Sequence, residues 1–534
     1  MAGNGGSWEK PKTLVRRLAV AIVATCVVVG VGGAAGADAR PLPSTSNRDD
    51  GRAGGLDIPR TVVTTDMEQD DLASLIRYMY YTNDVDTEGI VYTAGRYHWA
   101  GDGLGTQFFL PGREYATPQT SWRWTGSNII QDAVIPAYAK VYPNLKSQDA
   151  AYPSPASLLA KVEIGNVDFE GEMDHDTAGS NLIKELLLDN DPRPLYLQAW
   201  GGTNTIARAL KSIEDEYSSS RSWSSVQAKV NKKAVILASG FQDETYANYI
   251  SKAWPEIKAE QLSAGYSTWG YNCSRGAGNT RGLPADAKYF QGAWIKENIQ
   301  VGPLGSLYRS WLDGQAMPGD QLDIFGDPAK ASSGWCKPLQ RYDFLSEGDD
   351  VAYMPLLDTG INVPSDPTLG SWGGRATQTT TSPNLWTMVP TELDASGNSI
   401  KGYTTSRWEA AAWNDFANRV QWSLKPANWT GANHAPSVAV RGPQTLAVRA
   451  GQKVALRASV HDPDGNSVTL KWWQYQEEGT YPGSVTIDSP TSEGTTLTIP
   501  ADAQKGQTIS VILEATDDGT FPLTRYARVI LRVT

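Results

Sequence analysis

Only three cysteines and four histidines occur in 534 residues, and their scatter forms no zinc-binding spacing. Cys26 sits inside an N-terminal apolar run, which leaves Cys273 and Cys336 in the remainder of the chain. In an oxidising compartment two such cysteines most simply pair, the alternative being two separate buried thiols. Basic charge is also short: 47 Lys and Arg face 58 Asp and Glu, a net charge of -11. That average field repels a polyanion and no Lys/Arg-rich stripe offsets it, which excludes a nucleic-acid polymer as partner. No Gly-x-Ser-x-Gly elbow is present, so a serine hydrolase finds no support. Phenylalanine is scarce, nine against 19 Trp and 23 Tyr. Trp and Tyr join a flat apolar face to a polar edge, which suits stacking on sugar rings or, equally, a Trp-rich core.

What is present falls into four segments. Lys10, Lys12, Arg16 and Arg17 precede an apolar run from Leu18 to Val31, and Ala37-Asp38-Ala39 follows as a cleavage pattern. Residues 1–39 thus read as a signal peptide, and the protein as secreted. The run is short and Gly-interrupted, so no membrane span is expected once the signal is removed. Residues 40–57 are rich in Pro, Ser, Gly and charge, a disordered leader. From 58 to 433 β-type runs alternate with helical periodicity. Thr61–Thr65, Glu88–Tyr92, Leu195–Leu197 and Ala234–Leu237 read as strands; the stretch after Asp71, Asn181–Leu188 and Thr205–Ile213 read as helices. This alternation predicts an α/β domain, a mostly parallel sheet flanked by helices, with its ligand at the carboxyl ends of the strands. From 434 to 534 helical periodicity stops, and short alternating runs separated by Asp-Pro-Asp-Gly and Asp-Asp-Gly turns predict an immunoglobulin-like β-sandwich.

The chemistry concentrates at the end of the first predicted strand, where Asp66, Asp70 and Asp71 fall within six residues. Three carboxylates so close repel one another unless a cation joins them, and hard oxygen ligands suit Ca²⁺ or Mg²⁺. Alternatively, Asp70 or Asp71 caps the following helix. His98, between Tyr97 and Trp99, either lines a pocket or packs in an aromatic setting. Glu172, Asp174, His175 and Asp176 form a polar loop that either reaches substrate or is merely solvated. Trp372-Gly373-Gly374-Arg375 is either an aromatic wall with a donor or a turn. Asp462, Asp464 and Asp517 either hold a structural calcium or form turns.

Val62 to Ala73, VVTTDMEQDDLA, resembles the strand-loop-helix of nucleoside hydrolases, and Gln198 to Ala209, QAWGGTNTIARA, resembles their second signature. Together with Arg96-Tyr97-His98-Trp99, Gly171-Glu172-Met173 and Glu347-Gly348-Asp349, these segments make the chain similar to the cellulose-binding Sde182-type family. That family joins a nucleoside-hydrolase-like domain to a C-terminal sandwich. The resemblance implies that Asp66 ligates a metal, expected to be Ca²⁺, and takes a proton from an attacking water. It further implies that Asp71 is a bidentate ligand, that the Trp200 carbonyl and Asp349 complete the metal set, and that Asp70 binds a sugar hydroxyl. His98 and Glu172 are expected to contact substrate, and Asn204 to cap its helix. Thr64 stands where nucleoside hydrolases have their first aspartate, Met67-Glu68 replaces Pro-Gly, and Gly348 replaces a histidine that serves the leaving group. The metal set survives these departures; the evidence for a nucleobase pocket does not. Three readings follow: a secreted metal-dependent hydrolase of glycosidic bonds, N-glycosidic or ribofuranosyl-like; a non-catalytic protein that binds cellulose or another carbohydrate on the same scaffold; or an ordinary O-glycosidase that uses the same residues on plant polysaccharide.

Overall fold

A computed structural model describes residues 58–263, 284–320, 325–329, 339–345, 347–394 and 396–534. The signal and leader sequences, Cys273 and Cys336 lie outside the described residues. An eight-stranded sheet organises the α/β part, in the order β3-β2-β1-β4-β5-β6-β8-β7. Its strands are β1 (Arg60–Thr65), β2 (Asp86–Tyr92), β3 (Val162–Ile164), β4 (Leu195–Ala199), β5 (Ala234–Ala238), β6 (Lys258–Gln261), β7 (Ala376–Gln378) and β8 (Leu385–Met388). All neighbours pair in parallel except β7 with β8. β1 and β4 are buried along their whole length, as central strands covered on both faces must be. The order reverses between β1 and β4, and in sheets of this kind such a switch point, at the carboxyl ends of the strands, is where ligands bind.

The C-terminal part is a two-layer sandwich. One sheet runs Ser437–Val440, Lys453–His461, Gly494–Thr498, Thr486–Asp488; the other runs Thr445–Val448, Thr524–Val533, Thr508–Thr516, Thr469–Gln474. Lys453–His461 alternates exposed and buried residues in step with its polar/apolar pattern, so only one face of its sheet is dry.

The sandwich and the α/β part are joined by buried charge rather than by a free linker. The long helix Glu409–Leu424 presents Asp415, whose carboxylate accepts from Arg419 Nε at 2.8 Å and from Arg525 Nη1 of the sandwich at 2.9 Å. Tyr475 donates to Glu392 at 3.0 Å, and Arg528 reaches the carbonyls of Ile361 and Gly370 at 2.8 and 2.9 Å. The described residues belong to one compact unit.

Burial would push the Asp415 carboxyl up, but the guanidiniums of Arg419 and Arg525 outweigh it and hold the group at about 2, below the ordinary 3.8. A lowered carboxyl stabilises the fold above its unfolded pKa and loses that contribution as pH falls through the folded one. We expect Asp415→Asn to be less stable than the wild type at neutral pH. Between pH 4 and pH 2 the wild type should lose about 2 kcal/mol that the variant does not, measured by urea unfolding across that range. Equal acid sensitivity in the two proteins would refute the assignment.

The described tryptophans are all buried or half-buried, and Trp99, Trp200, Trp254, Trp372 and Trp413 are among the largest fully enclosed side chains. Among the described residues the Trp surplus therefore fills cores. Trp372 is one of these, and Arg375 pairs with Glu392 at 2.8 Å, so that segment is structural rather than an aromatic wall. No helix among the described residues is long and apolar enough to cross a membrane.

Candidate active site

Strand β1 delivers Asp66 to the switch point between β1 and β4. Thr64 pairs with Ala199 of β4 and Thr65 with Tyr92 of β2, and the Trp200 amide donates to the Thr64 carbonyl at 2.9 Å. Asp66 and Trp200 are thereby neighbours at the ends of adjacent strands. The chain then turns sharply: Met67 takes φ 55°, a left-handed conformation that costs a non-glycine residue about 1 kcal/mol or more. Two hydrogen bonds hold this turn. The Met67 amide donates to Thr65 Oγ1 at 3.0 Å, and Thr125 Oγ1 donates to the Met67 carbonyl at 3.0 Å. Helix α1 (Gln69–Met79) starts immediately, with Asp70 and Asp71 in its first turn. Glu68 at the N-cap makes no side-chain capping bond, and Asp71 accepts from Thr65 Oγ1, so neither is spent as a simple cap.

Four aspartates meet here in the dry. Asp66, Asp70 and Asp71 are fully buried and Asp349 is 1% exposed. Asp66 and Asp71 lie close enough for the charge of Asp71 to act on Asp66. Both Asp66 oxygens, Asp71 Oδ2 and Asp349 Oδ2 are shut off from solvent and accept no hydrogen bond from any donor among the described residues. Burial, then repulsion by Asp71, Glu68 and Asp349, pushes the Asp66 carboxyl well above its usual range. Burial and the charge of Asp70 push Asp71 up to about 7. Asp349 moves the same way through burial and the charges of Asp71 and Asp70. Buried carboxylate oxygens without donors are costly unless paired with positive charge, and this donor set, all hard oxygen, fits a divalent cation of the calcium or magnesium type.

Glycine makes room for the cluster. A Cβ on Gly95 would stand 1.8 Å from Asp66 Oδ2, and one on Gly201 would stand 2.8 Å from Asp66 Cγ. Asp66 is clamped between two backbones that tolerate no side chain. Asp349 is held by Ser239 Oγ, which donates to its Oδ1 at 2.6 Å and lies 3.4 Å from the Trp200 carbonyl. Gln242 Nε2 donates to that same carbonyl at 3.1 Å.

A second layer consists of charged groups around His98. Its Nδ1 lies 3.4 Å from Glu68 and its Nε2 3.6 Å from Asp320; Asp320 receives both nitrogens of the Arg123 fork at 3.0 Å. Burial raises the Asp320 carboxyl, but His98 and Arg123 overcome it and hold the group well below the usual range. His98 is thus fully enclosed between two carboxylates. Asp66, Glu68 and His98 form one group of ligand-type atoms near enough to hold a metal, and Glu68, Asp70 and Asp71 form another.

Glu172 is placed differently. Its carboxylate accepts from Asn166 Nδ2 at 3.1 Å and from the Asp174 amide at 2.7 Å, and faces His175 at 3.1 Å, contacts within its own half-exposed loop. Asn204 does not cap its helix. Its side chain donates to the carbonyls of Asn166 and Glu172 and accepts from Thr93. The Asn204 amide is taken instead by Asp243 at 3.0 Å. Asn204 ties three loops together because Asp243, from the next β-α unit, already satisfies the helix end. Gly95, Ser239 and Gln242 were not singled out from sequence. They lie far from Asp66 along the chain and carry no charge, so only the strand order exposes their role.

The nucleoside hydrolase-like domain of the family described as cellulose-binding Sde182 matches residues 60–376, and the C-terminal domain of cellulose-binding protein Sde0182 matches residues 453–533. No curated protein matches the chain. Among solved structures, a nucleoside hydrolase-related hypothetical protein from Saccharophagus degradans, described as associated with carbohydrate metabolism, is 25% identical. The alignment covers 90% of this chain and 100% of that one, at a TM-score of 0.64. A plant nucleoside hydrolase aligns over 68% of this chain and 99% of its own, at 8% identity and a TM-score of 0.31. The chain belongs to the cellulose-binding Sde182 family, whose nucleoside hydrolase-like domain here precedes a family-specific C-terminal sandwich.

Proposed function

We propose that the protein is an exported, metal-dependent hydrolase that cleaves a glycosidic bond in a carbohydrate or nucleoside-like substrate, with Ca²⁺ as its cation. One observation carries this reading: buried aspartate oxygens, converging from β1, α1 and the Asp349 segment, accept no hydrogen bond from a donor among the described residues. Asp66, Asp71, Asp349 and the Trp200 carbonyl would hold the cation. Bound there, the cation lowers the pKa of a water and orients vicinal hydroxyls.

The protein's own groups supply the rest. Cleavage at an anomeric carbon passes through an oxocarbenium-like state and needs a water deprotonated on one face. Asp66, pinned between Gly95 and Gly201, accepts that proton. Asp70 accepts a hydrogen bond from a sugar hydroxyl, which fixes the ring. Glu68 and His98, beside Asp66, line the same wall.

The family's name favours a second reading, a carbohydrate-binding protein without turnover. The deciding experiment screens nucleosides and aryl glycosides with the full chain, with Ca²⁺ and with a chelator. We expect hydrolysis of at least one class, lost on chelation. Retention on insoluble cellulose that survives chelation, with no turnover of any substrate, would establish the binding role instead.

A further inference from the structure

The calcium-type set above leaves room for a further oxygen. Such ions take about six to eight oxygen ligands, and three aspartates with one carbonyl supply about four to seven, depending on how many bind through both oxygens. Gln242 is placed to supply one. It follows β5, and its neighbour Asp243 is immobilised by Thr203 Oγ1 at 3.1 Å, the Asn204 amide at 3.0 Å and the Thr245 amide at 2.9 Å. The Gln242 amide group is oriented by its donation from Nε2 to the Trp200 carbonyl. That bond aims Oε1 away from Trp200. The point where a Gly95 Cβ would sit lies 2.5 Å from Gln242 Oε1 and 1.8 Å from Asp66 Oδ2. Both oxygens are closed off from solvent, and neither accepts a hydrogen bond from a donor among the described residues. Two acceptors converging in a dry space repel each other unless positive charge lies between them.

We propose that Gln242 Oε1 is a further ligand of the cation held by Asp66, Asp71 and Asp349, so that the segment after β5 joins those after β1 and β4 in closing the site. This rests on the metal-site reading given above. Gln242 is neutral, so it adds coordination without adding to the repulsion among the aspartates.

The test is calorimetric titration of Ca²⁺ into the full chain freed of metal, for the wild type, Gln242→Leu and Gln242→Glu, with melting curves in chelator as a folding control. Gln242→Leu should weaken Ca²⁺ binding at least about tenfold and lose most of the calcium-induced rise in Tm. Its Tm in chelator should match the wild type. Gln242→Glu keeps a ligating oxygen and should bind within about threefold of the wild type or tighter. Wild-type affinity in Gln242→Leu would overturn the proposal while leaving the metal site intact. Equal weakening in both variants would also overturn it, since it would mean that Gln242 acts through the Nε2 bond to the Trp200 carbonyl that both variants lose. A wild-type chain that takes up no Ca²⁺ would defeat the metal-site reading and this proposal together.

Discussion

Asp71→Asn is expected to reduce turnover to background and abolish calcium-dependent stabilisation, yet to melt at a higher temperature than the wild type in the presence of a chelator. The two halves of this result have one cause. Asp71 sits fully buried beside Asp66 and Asp70, and removing one of several like charges from a dry cluster relieves repulsion by about 1–2 kcal/mol. Asparagine keeps an acceptor for Thr65, so packing is preserved. On the proposed reading the same substitution also removes a charged ligand oxygen and weakens the hold on the cation that would balance the cluster. Sites kept for chemistry commonly cost stability in this way. The measurement is a pair of thermal melts, with Ca²⁺ and with chelator, alongside the rate on whichever glycoside the screen identifies. Undiminished turnover would remove the mechanism; a lower Tm in chelator would show that the cluster is a structural network rather than a strained site.

The second large effect is expected far from the acidic cluster. Arg528→Met should destabilise the protein by about 3–5 kcal/mol. Arg528 donates to Glu478 Oε1 at 2.8 Å and to Oε2 at 3.1 Å while also serving the carbonyls of Ile361 and Gly370. Without the guanidinium, Glu478 remains in a fully enclosed place, and two carbonyls lose their donor. The Gly370 amide and Ser510 also donate to Glu478, at 2.5 and 2.6 Å, but neither brings positive charge. Adding Glu478→Leu should restore part of the loss, because the cost lies in a stranded charge. Denaturant unfolding of the two variants checks this. A loss below about 1 kcal/mol for the single variant would show that the junction is held by apolar packing alone.

Much of the architecture could be read from the chain because its strands carry their own signal. Thr61–Thr65 is a continuous β-branched run, and only a strand buried on both faces has use for one. The sandwich strands are equally plain, since Lys453–His461 alternates with period two. The acid cluster was legible for a local reason: three of its four carboxylates lie within six residues of one another. What could not be read is whatever depends on strand order. Gly95 and Gly201 matter because β2 and β4 flank β1, and a glycine's value as an absence of atoms has no sequence signature. Asn204 illustrates the opposite failure. Its position at a helix start matches a cap, yet a carboxylate from elsewhere in the chain had already taken that amide. The Trp surplus was ambiguous by composition, and burial resolved it for the described residues.

Asn433 stands where the α/β part gives way to the sandwich. Its carbonyl accepts from Trp422 Nε1 at 3.1 Å and from Asn418 Nδ2 at 2.8 Å, and its side chain donates to Asp517 at 3.1 Å. A joint fastened on both sides cannot serve as a hinge. With Arg525 and Arg528 anchored beyond it, a single protease nick at this point would cut the polypeptide without freeing either piece. The sandwich is therefore better regarded as a fixed part of the fold than as a tethered module that swings to find a surface.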